Sequence, residues 1–189
     1  MNRLVFPSLL IGFLLCTGVA EAASQNLRSE TIPRSWKTFT AADDSWSIRY
    51  PRYWESKPKN GRAFSEGPDG LIGTLKSRRK IRGLIPNLTI TEEALKSPFS
   101  PEAYSMESMK QVSALGGYTK ISRQPLPNIQ GELHIFSLKS DTKTFNYYYQ
   151  VSTVASGTGV SFTAIMPGAI LPSLESTIRT MFHSIKVKN

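Results

Sequence analysis

The chain has 189 residues, 40% of them hydrophobic, with 23 Lys and Arg against 14 Asp and Glu, a net charge of +9. That length is ample for one domain and short for two, and a single cysteine, Cys16, excludes a disulfide framework, so stability must come from a core. The basic excess favours anionic surfaces and says nothing about fold.

Residues 1–22 carry Arg3 near the start, an apolar run over 4–19, and Ala20-Glu21-Ala22. This is the pattern of a secretory signal peptide cleaved after Ala22, where small residues fit the peptidase pockets, so the mature chain is expected to begin at Ala23. Cys16 follows Leu15 inside the apolar run, which argues against lipidation. Pro7 and Gly12 interrupt the run, and it is short for a span of about 20 residues, so no transmembrane helix is expected after cleavage. Because residues 1–22 hold one basic and one acidic side chain, Arg3 and Glu21, the +9 survives their removal. For an exported protein, periplasmic or extracellular, the polyanions at hand are acidic lipid headgroups, wall polymers and acidic proteins more than nucleic acid.

Residues 23–34, ASQNLRSETIPR, are polar and aperiodic and read as a mobile tether, leaving 35–189 as the domain. Residues 36–40 and 45–50 are β-type runs joined by Ala41-Ala42-Asp43-Asp44, whose aspartates can bond nearby backbone and hold a turn, which predicts a hairpin. In the second run Trp46, Ile48 and Tyr50 alternate with Ser45, Ser47 and Arg49, the signature of a strand with one buried face. Pro51 ends it, and Tyr53 and Trp54 are expected at the sheet end. So many aromatics in SWSIRYPRYW could form a stacking platform or a corner of the core, and the alternation favours the core.

Residues 57–70 are rich in turn formers, 71–76 can add a short strand, and 87–91 alternate Leu88 and Ile90 with threonines. Ser100-Pro101-Glu102 is a helix start: an N-cap, a proline at the first position and an acid in the first turn. That helix is expected to run to Leu115, with Ala103, Met106, Met109 and Val112 on its inner side, and to stop at Gly116-Gly117. Strands are expected over 118–124, 130–140, 144–155 and 160–166, the last two joined through Ser156-Gly157-Thr158-Gly159. Leu174, Ile178, Met181, Phe182 and Ile185 mark a closing amphipathic helix that begins near Pro172. The order predicts an α+β fold in which helices cover an antiparallel sheet.

A hairpin carrying Trp46-Ser47-Ile48-Arg49-Tyr50-Pro51 and then Trp54, followed by a middle helix, a meander and a last helix after a proline, resembles the PsbP-like family across the domain. The resemblance implies an α/β/α sandwich in which Trp46, Ile48 and Tyr50 are core side chains and Trp54 packs at the sheet end. It also implies an accessory or interaction module: photosynthetic members assist the oxygen-evolving complex, and many bacterial relatives are exported proteins of unknown role. Fold supplies no chemistry by itself.

The chain has no GxSxG, HExxH, P-loop or Asp-rich calcium loop, so neither a catalytic residue, a metal site nor a cofactor is expected. His134 and His183 read as structural or surface residues, and Glu92 and Glu93, adjacent on a strand end, point in opposite directions. Asn87-Leu88-Thr89 fits a glycosylation acceptor, a frequent chance match. What stands out is Lys76-Ser77-Arg78-Arg79-Lys80-Ile81-Arg82, five basic residues in seven with no acid among them. Lys76, Arg78, Arg79, Lys80 and Arg82 read either as a docking patch for an anionic partner or as a solvated loop that discourages edge pairing. The leading expectation is thus an exported, non-catalytic module that binds an envelope protein or an anionic surface. An enzyme would instead gather Asp69, Glu132 or His134 in a pocket, and a carrier of apolar ligands would have a cavity under Phe145, Tyr147 and Tyr149.

Overall fold

The computed structural model describes residues 32–58, 70–80, 85–139, 145–167 and 172–188, all within the unit Thr31–Asn189. The expected signal peptide and residues 23–31 of the tether lie outside the described residues. Among the described residues no helix is long and apolar enough to cross a membrane.

Strands β1 (Lys37–Thr40) and β2 (Trp46–Tyr50) form the predicted hairpin, with Phe39 opposite Ile48. Asp43 closes it. Its carboxylate accepts from the Ser45 hydroxyl at 2.6 Å and the Ser45 backbone N–H at 3.0 Å, and those bonds hold its pKa below the ordinary carboxylate value. Pro51 ends β2, but after a turn at Arg52-Tyr53 the chain continues as β3 (Trp54–Pro58). That strand has no alternating apolar pattern to announce it. What makes it a strand is its neighbour β4 (Leu71–Ser77), which supplies the ladder from Ser77 opposite Trp54 to Gly73 opposite Pro58.

Next come β5 (Asn87–Ala94) and α1 (Pro101–Ser113). Ser100 caps α1 as expected, its hydroxyl accepting from the Ala103 N–H at 3.2 Å. The chain leaves α1 through Gly117 at a φ of 75°, which a residue with a Cβ adopts only under strain. A meander follows: β6 (Tyr118–Leu126), a 3₁₀ turn at Pro127–Ile129, β7 (Gly131–Lys139), β8 (Phe145–Ala155) and β9 (Thr158–Pro167). Between β8 and β9, Ser156 and Gly157 have φ of 46° and 79°, the two positive angles that match a hairpin turn to the twist of its strands. The chain closes with α2 (Pro172–His183) and a short strand, β10 (Lys186–Val187).

Seven strands form one antiparallel sheet in the order β3-β4-β5-β9-β8-β7-β6, and β1-β2-β10 form a second. One face of the large sheet makes the core. Leu75, Leu88, Ile90, Tyr149, Val151, Phe162 and Met166 meet Trp46, Ile48 and Tyr50 of the small sheet and Leu174, Ile178, Met181 and Phe182 of α2. The Trp46 ring meets Phe162 edge-on at 5.2 Å and stacks on Phe39 at 5.9 Å. Phe39 reaches the large sheet only because Gly73 has no side chain: a Cβ there would lie 2.7 Å from its ring. The other face carries α1 across β6, β7 and β8. The expected α/β/α sandwich is therefore present, with the small sheet sharing the layer of α2.

Of the aromatics in 45–54, Trp46, Tyr50 and Trp54 are core residues as expected, whereas Tyr53 is 47% exposed. The inner side assigned to α1 is corrected at Met106, while Ala103, Met109 and Val112 are half-buried. Met106 is 63% exposed, and the helix buries Tyr104 and Ser105 instead. A three-residue spacing drifts around a 3.6-residue helix, which carries Met106 out of the buried arc of α1.

Candidate functional site

The basic run lies where β4 leaves the sheet. Its shape comes from Ser77, a buried serine whose hydroxyl accepts from the Arg79 N–H and donates to the Arg79 carbonyl, both at 3.1 Å. The Ser77 N–H reaches Pro86 O at 3.0 Å and the Arg78 N–H reaches Tyr53 O at 3.2 Å, so the first half of the turn is tied to both neighbouring segments. Lys76, Arg78, Arg79 and Lys80 are all exposed. Arg82 lies outside the described residues. Because β4 pairs with β3 on one side and β5 on the other, these residues do not guard a sheet edge. Nor is the run free of local acid, as the sequence suggests: β3 places Glu55 opposite Lys76 in register and 2.9 Å from Arg78 Nε. Arg79 and Lys80 have no acidic partner among the described residues. Exposed Tyr53 and Ile85 stand on the segments flanking the turn, a feature sequence reasoning missed, although Leu84-Ile85-Pro86 directly after the basic run is its apolar signal.

The polar face under α1 holds the residues relevant to an enzyme. Ser105 Oγ lies 3.2 Å from His134 Nε2, and Glu132 Oε2 lies 3.5 Å from that same nitrogen, with Arg123 Nε 3.3 Å from the other Glu132 oxygen. Burial, only partly offset by Glu132, lowers the pKa of His134 and keeps it neutral at physiological pH. A serine nucleophile with a histidine base needs the carboxylate on Nδ1 and the serine on Nε2. Here both meet Nε2, and Ser105 is only 2% exposed, so the trio is a buried polar contact that seats α1. Asp69 lies outside the described residues, and His183 sits at the end of α2, on the other side of the sheet. Among the described residues no group of His, Cys, Asp and Glu could hold a metal ion.

The remaining candidates are placed by the strands. Glu92 turns to the core face, where it accepts the Trp46 indole N–H, and burial raises its pKa; Glu93 is exposed on the other face. Asn87 is half-buried in β5, which pairs on both sides at that position. Tyr149 belongs to the packed core, and the Arg179 guanidinium stands 5.7 Å from its ring. Tyr147 packs against the same core, and the side chain of Phe145 is outside the described residues.

No protein-family model matches the chain, and no curated protein does. Solved structures do. Cyanobacterial PsbP (CyanoP) from Synechocystis sp. PCC 6803 superposes with a TM-score of 0.51 at 13% identity, over 84% of this chain and 96% of that one. The fold is PsbP-like. LpqN of Mycobacterium tuberculosis, which is involved in cell envelope biogenesis, shares this fold with a TM-score of 0.55 at 12% identity, over 82% of this chain and 91% of that one. A Pseudomonas aeruginosa protein of unknown function, described as a putative regulator, matches at 0.50 and 11% identity, over 82% and 98%. At such identities the PsbP-like likeness is one of architecture, and any function has to be argued from the side chains.

Proposed function

We propose that the protein is an exported, non-catalytic binding module that docks on an anionic surface of the cell envelope through the turn after β4. The observation that carries this reading is the turn itself. A buried serine and two backbone bonds tie down its first half, so the backbone that presents Arg78 and Arg79 is set before binding. Tyr53 and Ile85 add apolar surface beside those charges, the combination that suits a headgroup layer, where rings enter and cations stay with phosphates. The PsbP-like scaffold supports the reading, and LpqN, of the same fold, works in envelope biogenesis. Export rests on residues 1–22, and mass spectrometry of the secreted or periplasmic material should show a chain beginning at Ala23; Met1 retained in the membrane fraction would make residues 4–20 an anchor instead.

The test replaces Arg78, Arg79, Lys80 and Arg82 by Ser and measures co-sedimentation with phosphatidylglycerol vesicles. The parent should bind, and bind less as salt rises, since exposed charges act over only about 8 Å at physiological ionic strength. The variant should not bind at any salt. Equal binding by both at low salt would dismiss the turn as a docking site. Binding of the parent to an acidic envelope protein but not to vesicles would keep the turn and replace the lipid surface by a protein one.

A further inference from the structure

Towards the opposite end of β5 from the basic turn, the polar face of the sheet is open beside α1. A cavity of about 350 Å³ lies there, walled by Thr91 and Glu93 of β5, Ser161 of β9, Gln150 of β8, and Tyr104 and Ser108 of α1. Its volume falls in the range of about 300–1,000 Å³ usual for small-molecule sites.

The floor of the cavity is a built hydrogen-bond array. Gln150 Nε2 donates to Ser108 Oγ at 2.9 Å and to Ser152 Oγ at 3.2 Å, which uses both amide hydrogens. Ser152 Oγ also joins Ser108 Oγ at 3.0 Å and Ser161 Oγ at 2.8 Å. A hydroxyl offers one donor and two acceptor positions, so Ser152, the deepest of the group, is saturated. Ser108 has one position left, and the carbonyl oxygen of Gln150 accepts from none of the described residues. These unspent positions belong to side chains that line the cavity. Tyr104 is held at its side, its hydroxyl beside Ser161 and Glu93. The ring lies on the backbone of Gly159, where a Cβ would come within 2.5 Å of it.

The chemistry of the walls limits what can enter. Among the described residues no Lys or Arg lines the cavity, so no cationic side chain among them is there to favour an anion. Of the two lining carboxylates, Glu92 turns one oxygen to the Trp46 indole on the core side, and Glu93 is exposed beside the Tyr104 hydroxyl. What remains is a set of hydroxyls and amides with both donor and acceptor capacity, the complement of a molecule that carries many hydroxyls of its own. We propose that this cavity is a binding site for a neutral polyhydroxylated molecule of monosaccharide size, held by Gln150, Ser108, Ser161 and Tyr104. This inference is independent of the basic turn.

The test is a titration of ¹⁵N-labelled protein with methyl glucoside, methyl galactoside, N-acetylglucosamine and myo-inositol, each to about 50 mM, a range that covers millimolar affinities. At least one should shift the Gln150 and Gln111 side-chain amides in a saturable way, while inorganic phosphate and ethanolamine leave them in place. Gln111 lines the rim and is exposed, so Gln111→Ala should keep the parent melting temperature and weaken binding roughly fivefold, the effect of one neutral hydrogen bond. Absence of saturable shifts with all four polyols would overturn the proposal. So would equal shifts with phosphate, or shifts with ethanolamine alone, which would mark an ammonium site at Glu93.

Discussion

The two faces of the seven-stranded sheet come from the same strands and are built on different physics. On β9, Val160, Phe162, Ala164 and Met166 go one way and are wholly buried, while Ser161 and Thr163 go the other. On β8, Tyr149 and Val151 oppose Gln150 and Ser152. The first face is covered by α2 and the small sheet and gains stability from area removed from water, a non-directional effect. The second is covered by α1 through hydrogen-bonded serines, a glutamine and a histidine beside buried Tyr104 and Phe136, and burying the polar groups is tolerable because they find partners. The comparison teaches that a sheet can be sealed on one side and left partly open on the other without a change in strand length or register. On the polar side the unspent hydrogen-bonding positions open on a cavity, whereas those of the core side, the Trp54 indole N–H and the Tyr149 hydroxyl, are sealed in packing.

Trp46→Ala should be the most damaging change, since it removes a ring packed between Phe39 and Phe162. It should cost about 3–5 kcal/mol out of a typical total of about 5–15 kcal/mol. Urea unfolding would read it directly, and a midpoint equal to the parent's would mean that the core face does not depend on the indole.

On the polar face, Gly159→Ala puts a methyl against the Tyr104 ring. The expected cost is about 1–3 kcal/mol, less than for Trp46. In the double variant with Tyr104→Ala the clash is gone, so the two costs should fall short of adding. Strict additivity would show that Tyr104 does not rest on Gly159.

The pH dependence separates the faces by sign. His134, on the polar face, has its pKa lowered from 6.5 by burial. Below 6.5 the unfolded chain takes up a proton that the folded one resists, so this residue makes stability fall as pH drops from 6.5 towards the lowered value. Glu92, on the core face, has its pKa raised from 4.5 by burial. Here the folded chain holds the proton longer, so its contribution falls as pH rises from 4.5 towards the raised value. His134→Gln should flatten the first slope and Glu92→Gln the second; a slope that survives its own substitution would assign it to another group.

Least disturbed of all should be the variant with Ser at Arg78, Arg79, Lys80 and Arg82. Exposed charges on a turn contribute within about ±0.5 kcal/mol each, so its melting temperature should match the parent's. A large drop would place these side chains in the fold and remove them from any surface role.

Much of the fold was legible because it is local. Period-two alternation marked β2, β8 and β9 and assigned their buried sides correctly, and Ser100-Pro101 marked the start of α1. β3 and β10 were not legible. Trp54–Pro58 and Lys186–Val187 carry no alternation of their own and are strands because β4 and β2 offer them ladders. The basic turn was visible as composition, but Glu55 beside it was not, because 23 residues separate Glu55 from Arg78. The polar cavity left no sequence signal, since serines, threonines and glutamines on the outer face of a strand look the same whether they meet solvent or a helix.

What the sequence by itself determined is both helices and the strands that carry their own pattern, the inward side of β2, β8 and β9, and the excess of positive charge. Those depend on residues near one another in the chain. Only the tertiary structure decided that the last strand completes the sheet of the first hairpin, that α1 seats on polar side chains with Met106 outward, and that Gln150, Ser108, Ser161 and Tyr104 converge on one cavity. The physical reason is that burial is a property of what covers a surface, and here the cover comes from distant parts of the chain.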